Sequence, residues 1–170
     1  MLCILLLVIS LLSCESWELW AIGSAVLVHE CGHVLALRLW GERITALRLD
    51  STGAELLCPA FTSKAEEISV ALAGSTAGLL WALALARSRH PESEYAAAVS
   101  AALSFFNLLP VPLLDGGRVL LALGCRERRV GLCATVLLLP LLALCIRRRI
   151  WLSALLILYL IGESIPQGSS

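Results

Sequence analysis

The stretch His29-Glu30-Cys31-Gly32-His33 lies in the middle of an apolar run that extends from Trp17 to Trp40. As a helix that run is long enough to cross the roughly 30 Å hydrocarbon layer of a bilayer. A tryptophan at each end suits the interfacial belts where such rings collect. On a helix, His29 and His33 stand one turn apart on one face. Both can therefore bind one divalent ion through ring nitrogens at about 2.0–2.1 Å. Glu30 is rotated by about 100° from His29, too far for a comfortable third ligand but within reach of a water beside the ion, where a general base is needed. Cys31 falls on roughly the opposite face, and Gly32 lets another helix approach closely. The competing reading is a pair of helix histidines satisfied by neighbouring carbonyls. Two imidazoles and a carboxylate are costly at membrane depth and persist mainly where they do chemistry or line a polar cavity, which favours the metal.

Composition bounds the rest. The chain has 170 residues, 59% of them hydrophobic, against about 45–50% in soluble domains, and the excess is expected to face lipid. Formal net charge is +0, so nothing points to nucleic acid as a partner. The 7 cysteines are an odd number, lie mostly in apolar runs and form no C-x-x-C pair. A disulfide framework and a thiolate metal site are both disfavoured. No polar stretch is long enough for a separate soluble domain. The expectation is one membrane domain over residues 1–170, with a core at 17–123 and accessory helices at 1–14 and 130–162.

The apolar segments predict an all-α polytopic membrane protein of about six transmembrane helices. They run from Leu2 to Leu12, Trp17 to Trp40, Ala65 to Ala86, Tyr95 to Leu123, Val130 to Ile146 and Ile150 to Ile161. The first lacks the basic start of a signal peptide and reads as a short span. Pro140 is expected to kink the fifth. After the second span, Ile44 to Leu49 is β-prone, Ser51-Thr52-Gly53 reads as a turn and Ala54 to Cys58 as a return strand, giving a small membrane-associated β-hairpin. Arg43, Arg48, Lys64, Arg126, Arg128 and Arg129 gather on one side, Arg87, Arg89 and Arg147 to Arg149 on the other. The small excess places the first side, the N-terminus and the opening of the site in the cytoplasm.

Two histidines leave a metal short of a ligand. His90 sits in the charged stretch Arg87-Ser88-Arg89-His90-Pro91, which reads as a solvated loop. Asp115 is the better candidate, being the only acid between Tyr95 and Arg126. Its surroundings, Asn107-Leu108-Leu109-Pro110-Val111-Pro112-Leu113-Leu114-Asp115-Gly116-Gly117, read as a deliberately broken helix. Each proline removes a backbone donor, and the glycine pair opens backbone angles closed to other residues. Irregular backbone at membrane depth is tolerated where it is buried in protein or lines a wet cavity. A kinked helix with Asp115 paired to Arg118 is the plainer alternative.

The H-E-x-x-H of His29 to His33 followed by Asn107-x-x-Pro110-x-Pro112-x-x-Asp115-Gly116-Gly117 closely resembles the site-2 protease family of intramembrane zinc metalloproteases. The short form looks most like the branch of the bacterial stage IV sporulation protein FB. The resemblance implies one Zn²⁺ held by His29, His33 and Asp115, Glu30 as catalytic base, and Asn107 beside the substrate or the metal. It implies a multi-pass protein of a bacterial cell membrane that cleaves a membrane-spanning or membrane-tethered protein. Release of a transcription regulator, such as a sporulation sigma-factor precursor, and a regulatory membrane protein as further partner would follow. Ala73-Gly74-Ser75-Thr76-Ala77-Gly78 stands where the family often has Gly-Pro-x-x-Asn and lacks both the proline and the asparagine. A membrane carrier of divalent metal built on the same His/Asp site is the reading from another functional class.

Overall fold

The computed structural model describes residues 16–41, 46–50, 53–57 and 61–164. The expected first span lies outside the described residues. The order of elements is α1 (Ser16–Leu39), β1 (Ala46–Asp50), β2 (Gly53–Leu57), α2 (Lys64–Leu85), α3 (Pro91–Asn107), α4 (Asp115–Ala122), α5 (Glu127–Arg147) and α6 (Trp151–Ser164). The chain divides into two units, Met1–Leu108 and Leu109–Ser170.

In the first unit α1, α2 and α3 pack on one another through small side chains. Ala21, Ala25, His29 and Gly32 are the buried stripe of α1, spaced as one face of a helix. Small residues let helix backbones approach where lipid tails give helices no hydrophobic reason to associate. At Gly32 the approach is close: a Cβ there would stand 2.6 Å from the Ala73 carbonyl oxygen and 2.8 Å from the Ala77 Cβ of α2. Between α2 and α3, Ser100 donates to the Gly78 carbonyl at 2.9 Å. Trp17 of α1 stacks edge-on against Tyr95 of α3, centroids 5.0 Å apart. The indole N–H of Trp40, just past α1, donates to Ser69 Oγ of α2 at 2.7 Å.

Capping sets the ends. Gly41, at φ 79°, follows α1 in the left-handed region that glycine occupies without strain. The α2 start follows the S-x-x-E pattern. Ser63 Oγ accepts from the Glu66 N–H at 3.1 Å. The Glu66 carboxylate, 1% exposed, accepts from the N–H and the hydroxyl of Thr62. Strands β1 and β2 pair antiparallel with Asp50 opposite Gly53.

In the second unit α5 and α6 face each other across Val130, Ala134 and Leu138 on one side and Ala154, Ile157 and Ile161 on the other, all buried. Pro140 lies inside α5, which continues through it to Arg147. Large apolar side chains stay exposed along the helices, among them Leu27, Leu35, Leu80, Leu83, Val136 and Leu139. Such a surface is a liability in water and ordinary against lipid.

The expectation of about six spans needs correction. Among the described residues, 3 helices are long and apolar enough to cross a membrane: Ser16–Leu39, Lys64–Leu85 and Glu127–Arg147. The expected fourth span, Tyr95 to Leu123, is two helices separated by a break. Its first part, α3, has 17 residues and opens on two acids in the first turn. The last, α6, has 14 residues, a rise of roughly 21 Å, short of the hydrocarbon thickness. Counting apolar runs overcounts spans where a run is broken or short.

We expect Gly32→Ala to lower the stability of the detergent-solubilised chain by about 1–3 kcal/mol through overpacking. Gly23→Ala, where a Cβ meets nothing within 4 Å, is expected to be neutral or slightly stabilising. Thermal melts followed by circular dichroism read the difference, and equal responses would contradict the packing described for α1 and α2.

Candidate metal centre

His29 and His33 both project from α1. His29 lies on its packed face, 5% exposed, and His33 and Glu30 are half-buried while Cys31 is exposed. The rings stand nearly perpendicular, at 80°, with centroids 4.8 Å apart, and the two Nε2 atoms are 3.2 Å apart. His33 Nδ1 donates to the Val70 carbonyl of α2 at 2.7 Å. A carbonyl can only accept, so this bond keeps the proton on Nδ1 and leaves Nε2 of the neutral ring as a lone-pair donor. A metal-ligating histidine commonly has its other nitrogen held this way. The alternative of carbonyl-satisfied histidines is thus half realised: the carbonyl holds one nitrogen of His33 and turns the other toward His29.

The helix α2 makes room for that ring. A Cβ at Gly74 would collide with Nε2, Cε1 and Cδ2 of His33. Val70 was not marked by the sequence as part of a site, and Gly74 was noted only within the segment Ala73 to Gly78. A further signal was a glycine in mid-helix without a turn to explain it.

In the second unit Asp115 occupies the first turn of α4 and is 6% exposed. A carboxylate there suits the helix dipole. The turns before it are built from Val111 N–H to Leu109 O at 2.8 Å and Leu114 N–H to Val111 O at 2.9 Å, so the break anticipated around Pro110 and Pro112 is present. The glycine pair works differently from the expectation. Gly116 and Gly117 are helical, and the described glycines with positive φ are Gly41 and Gly124. At Gly117 a Cβ would strike the Val111 carbonyl; the need there is close approach and not an unusual backbone angle.

Among the described residues, His29, His33 and Asp115 form a group that could hold a metal ion: each offers one ligand atom, and these atoms all lie within 4.8 Å of one another. The two imidazole donors fit a divalent ion. Two nitrogens bound tetrahedrally at 2.0–2.1 Å stand roughly 3.3 Å apart, close to the 3.2 Å between the Nε2 atoms. His90 is exposed ahead of α3 and outside this group. Asn107 is half-buried at the end of α3, its amide donating to the Leu103 carbonyl at 3.0 Å.

Comparison with known proteins bears on one segment of the chain and on the fold. Residues 92–142 match Peptidase family M50; that segment holds Asn107, the break and Asp115 but not the histidine motif. The fold is similar to that of the site-2 protease from Methanocaldococcus jannaschii, with a TM-score of 0.68 at 16% identity over 99% of this chain and 89% of the other. No curated protein matches the chain.

We expect the purified chain to take up about one divalent ion per molecule, as Zn²⁺ or Co²⁺ titration would read. His29→Ala, His33→Ala and Asp115→Ala should each weaken uptake by more than about a hundredfold, since loss of an outer-shell partner alone costs 10–100-fold. Unchanged uptake in any one of them removes that residue from the ligand set.

Proposed function

We propose that the chain is an intramembrane metalloendopeptidase of the site-2 protease type, taking both units as one protease domain. The observation that carries the reading is the donor set of two helix imidazoles and one carboxylate, with Glu30 next to His29 on a helix apolar enough to cross a membrane. Zinc is the ion we assign, on the donor types and the family resemblance.

His29, His33 and Asp115 would hold a divalent ion, which would supply a more acidic water and a polarised scissile carbonyl. Glu30 is the base that would take a proton from the attacking water and deliver it to the leaving amine. Asn107 binds the substrate backbone or the developing oxyanion through a hydrogen bond. The substrate we propose is a membrane-spanning or membrane-tethered protein whose helix unwinds locally, since helical amides are closed off by their own hydrogen bonds. The β1–β2 ribbon, lying at the membrane face in this reading, offers an edge to which such an extended stretch adds as a strand.

Finer assignments rest on the resemblance: the stage IV sporulation protein FB branch, a bacterial cell membrane, release of a transcription regulator, and a regulatory membrane partner. The opening of the site to the cytoplasm rests on the small excess of Lys and Arg on that side.

The test is cleavage of a membrane-tethered candidate peptide by the detergent-reconstituted chain. Activity should vanish with a chelator and return with Zn²⁺, and Glu30→Gln should lower it by about 10²–10⁴-fold while metal uptake persists. Equal cleavage by wild type and Glu30→Gln overturns the base. Metal transport into sealed vesicles without cleavage would instead establish a carrier.

A further inference from the structure

We propose that Gly74 is a positioning residue for the metal centre, its missing side chain being the space the His33 ring occupies. The inference rests on the reading of His33 as a metal ligand and names the element that holds that ligand in place. His33 projects from α1 against α2, and two groups of α2 one turn apart meet its ring. The Val70 carbonyl accepts from Nδ1 at 2.7 Å. At Gly74 the three nearest atoms to an added Cβ are Nε2, Cε1 and Cδ2 of His33, with no backbone atom and no other side chain among them.

Positions 70 and 74 lie on one face of the helix, so carbonyl and gap form a single seat. The hydrogen bond fixes which nitrogen is protonated. It leaves the ring free to swing about the Nδ1···O direction. The gap at Gly74 fixes where the Nε2 edge comes to rest, which is the edge turned to His29 at 3.2 Å. Glycine inside a helix is less favourable than alanine, so its presence in mid-α2 calls for a reason, and the His33 ring supplies one. Gly78, one turn on, has a different neighbour: a Cβ there would strike Ser104 Oγ of α3. The two glycines of Ala73-Gly74-Ser75-Thr76-Ala77-Gly78 thus have separate duties, one seating a ligand and the other admitting a helix.

The experiment is a double-mutant cycle on the full-length chain in detergent. Thermal midpoints are measured metal-free for wild type, Gly74→Ala, His33→Ala and the double variant. Co²⁺ affinity and the visible Co²⁺ absorption are measured in parallel. Gly74→Ala should lower the midpoint of the wild type but not that of His33→Ala, where the ring is gone. It should also weaken Co²⁺ binding by at least about tenfold and change the absorption bands. If Gly74→Ala does not fold, the double variant should recover folding. The proposal is overturned by an equal loss of midpoint in both backgrounds, by a double variant that also fails to fold, or by wild-type midpoint and Co²⁺ bands in Gly74→Ala. Unchanged Co²⁺ binding in His33→Ala would overturn the ligand reading itself, an outcome distinguishable because the metal-free cycle reads the seat independently.

Discussion

Two imidazole nitrogens held 3.2 Å apart inside an apolar helix are the constraint around which the chain is organised. The Val70 carbonyl holds a proton on the far nitrogen of His33, so the near one presents a lone pair. An electron-rich edge turned toward a second imidazole must share a proton or a cation with it. Burial raises the stakes, because a polar group at membrane depth has no water to fall back on. In the function proposed above, a divalent ion would answer the demand of both rings at once, with the buried carboxylate of Asp115 adding negative charge to balance it.

The rest of the architecture serves that placement. Because α1 packs through Ala21, Ala25 and Gly32, its backbone lies close enough to α2 for a histidine on the same face to meet α2 groups directly. Glu30, one residue round the helix from His29, is half-buried. In the second unit the proline-bearing break ends in the first turn of α4, where Asp115 finds favourable backbone dipoles and Gly117 admits the returning Val111 carbonyl.

Much of this was legible in the residues. His29 and His33 are four apart in an apolar run, a local relation that helix periodicity fixes without tertiary knowledge. Asp115 stood out because an acid is expensive in an apolar segment, and two closely spaced prolines marked the break because each removes a backbone donor and disfavours regular helix. What escaped were relations across elements. Val70 lies 37 residues from His33 and contributes a carbonyl, which every residue has, so no side chain announces it. Gly74 contributes an absence. Gly116 and Gly117 were read as sources of unusual backbone angles, yet both are helical, and at Gly117 the reason is close approach, a distinction that residue type alone does not carry. The described residues hold fewer long apolar helices than the six expected spans for a related cause: hydropathy registers apolar runs, while a long helix needs uninterrupted helical length.

The central claim, that His29, His33 and Asp115 ligate one ion, is most directly tested by zinc X-ray absorption spectroscopy on the metal-loaded, purified chain. The account predicts a nitrogen and oxygen shell at about 2.0–2.1 Å with the outer scattering of two imidazoles. A shell dominated by sulfur at about 2.3 Å, or one without imidazole scattering, would contradict it.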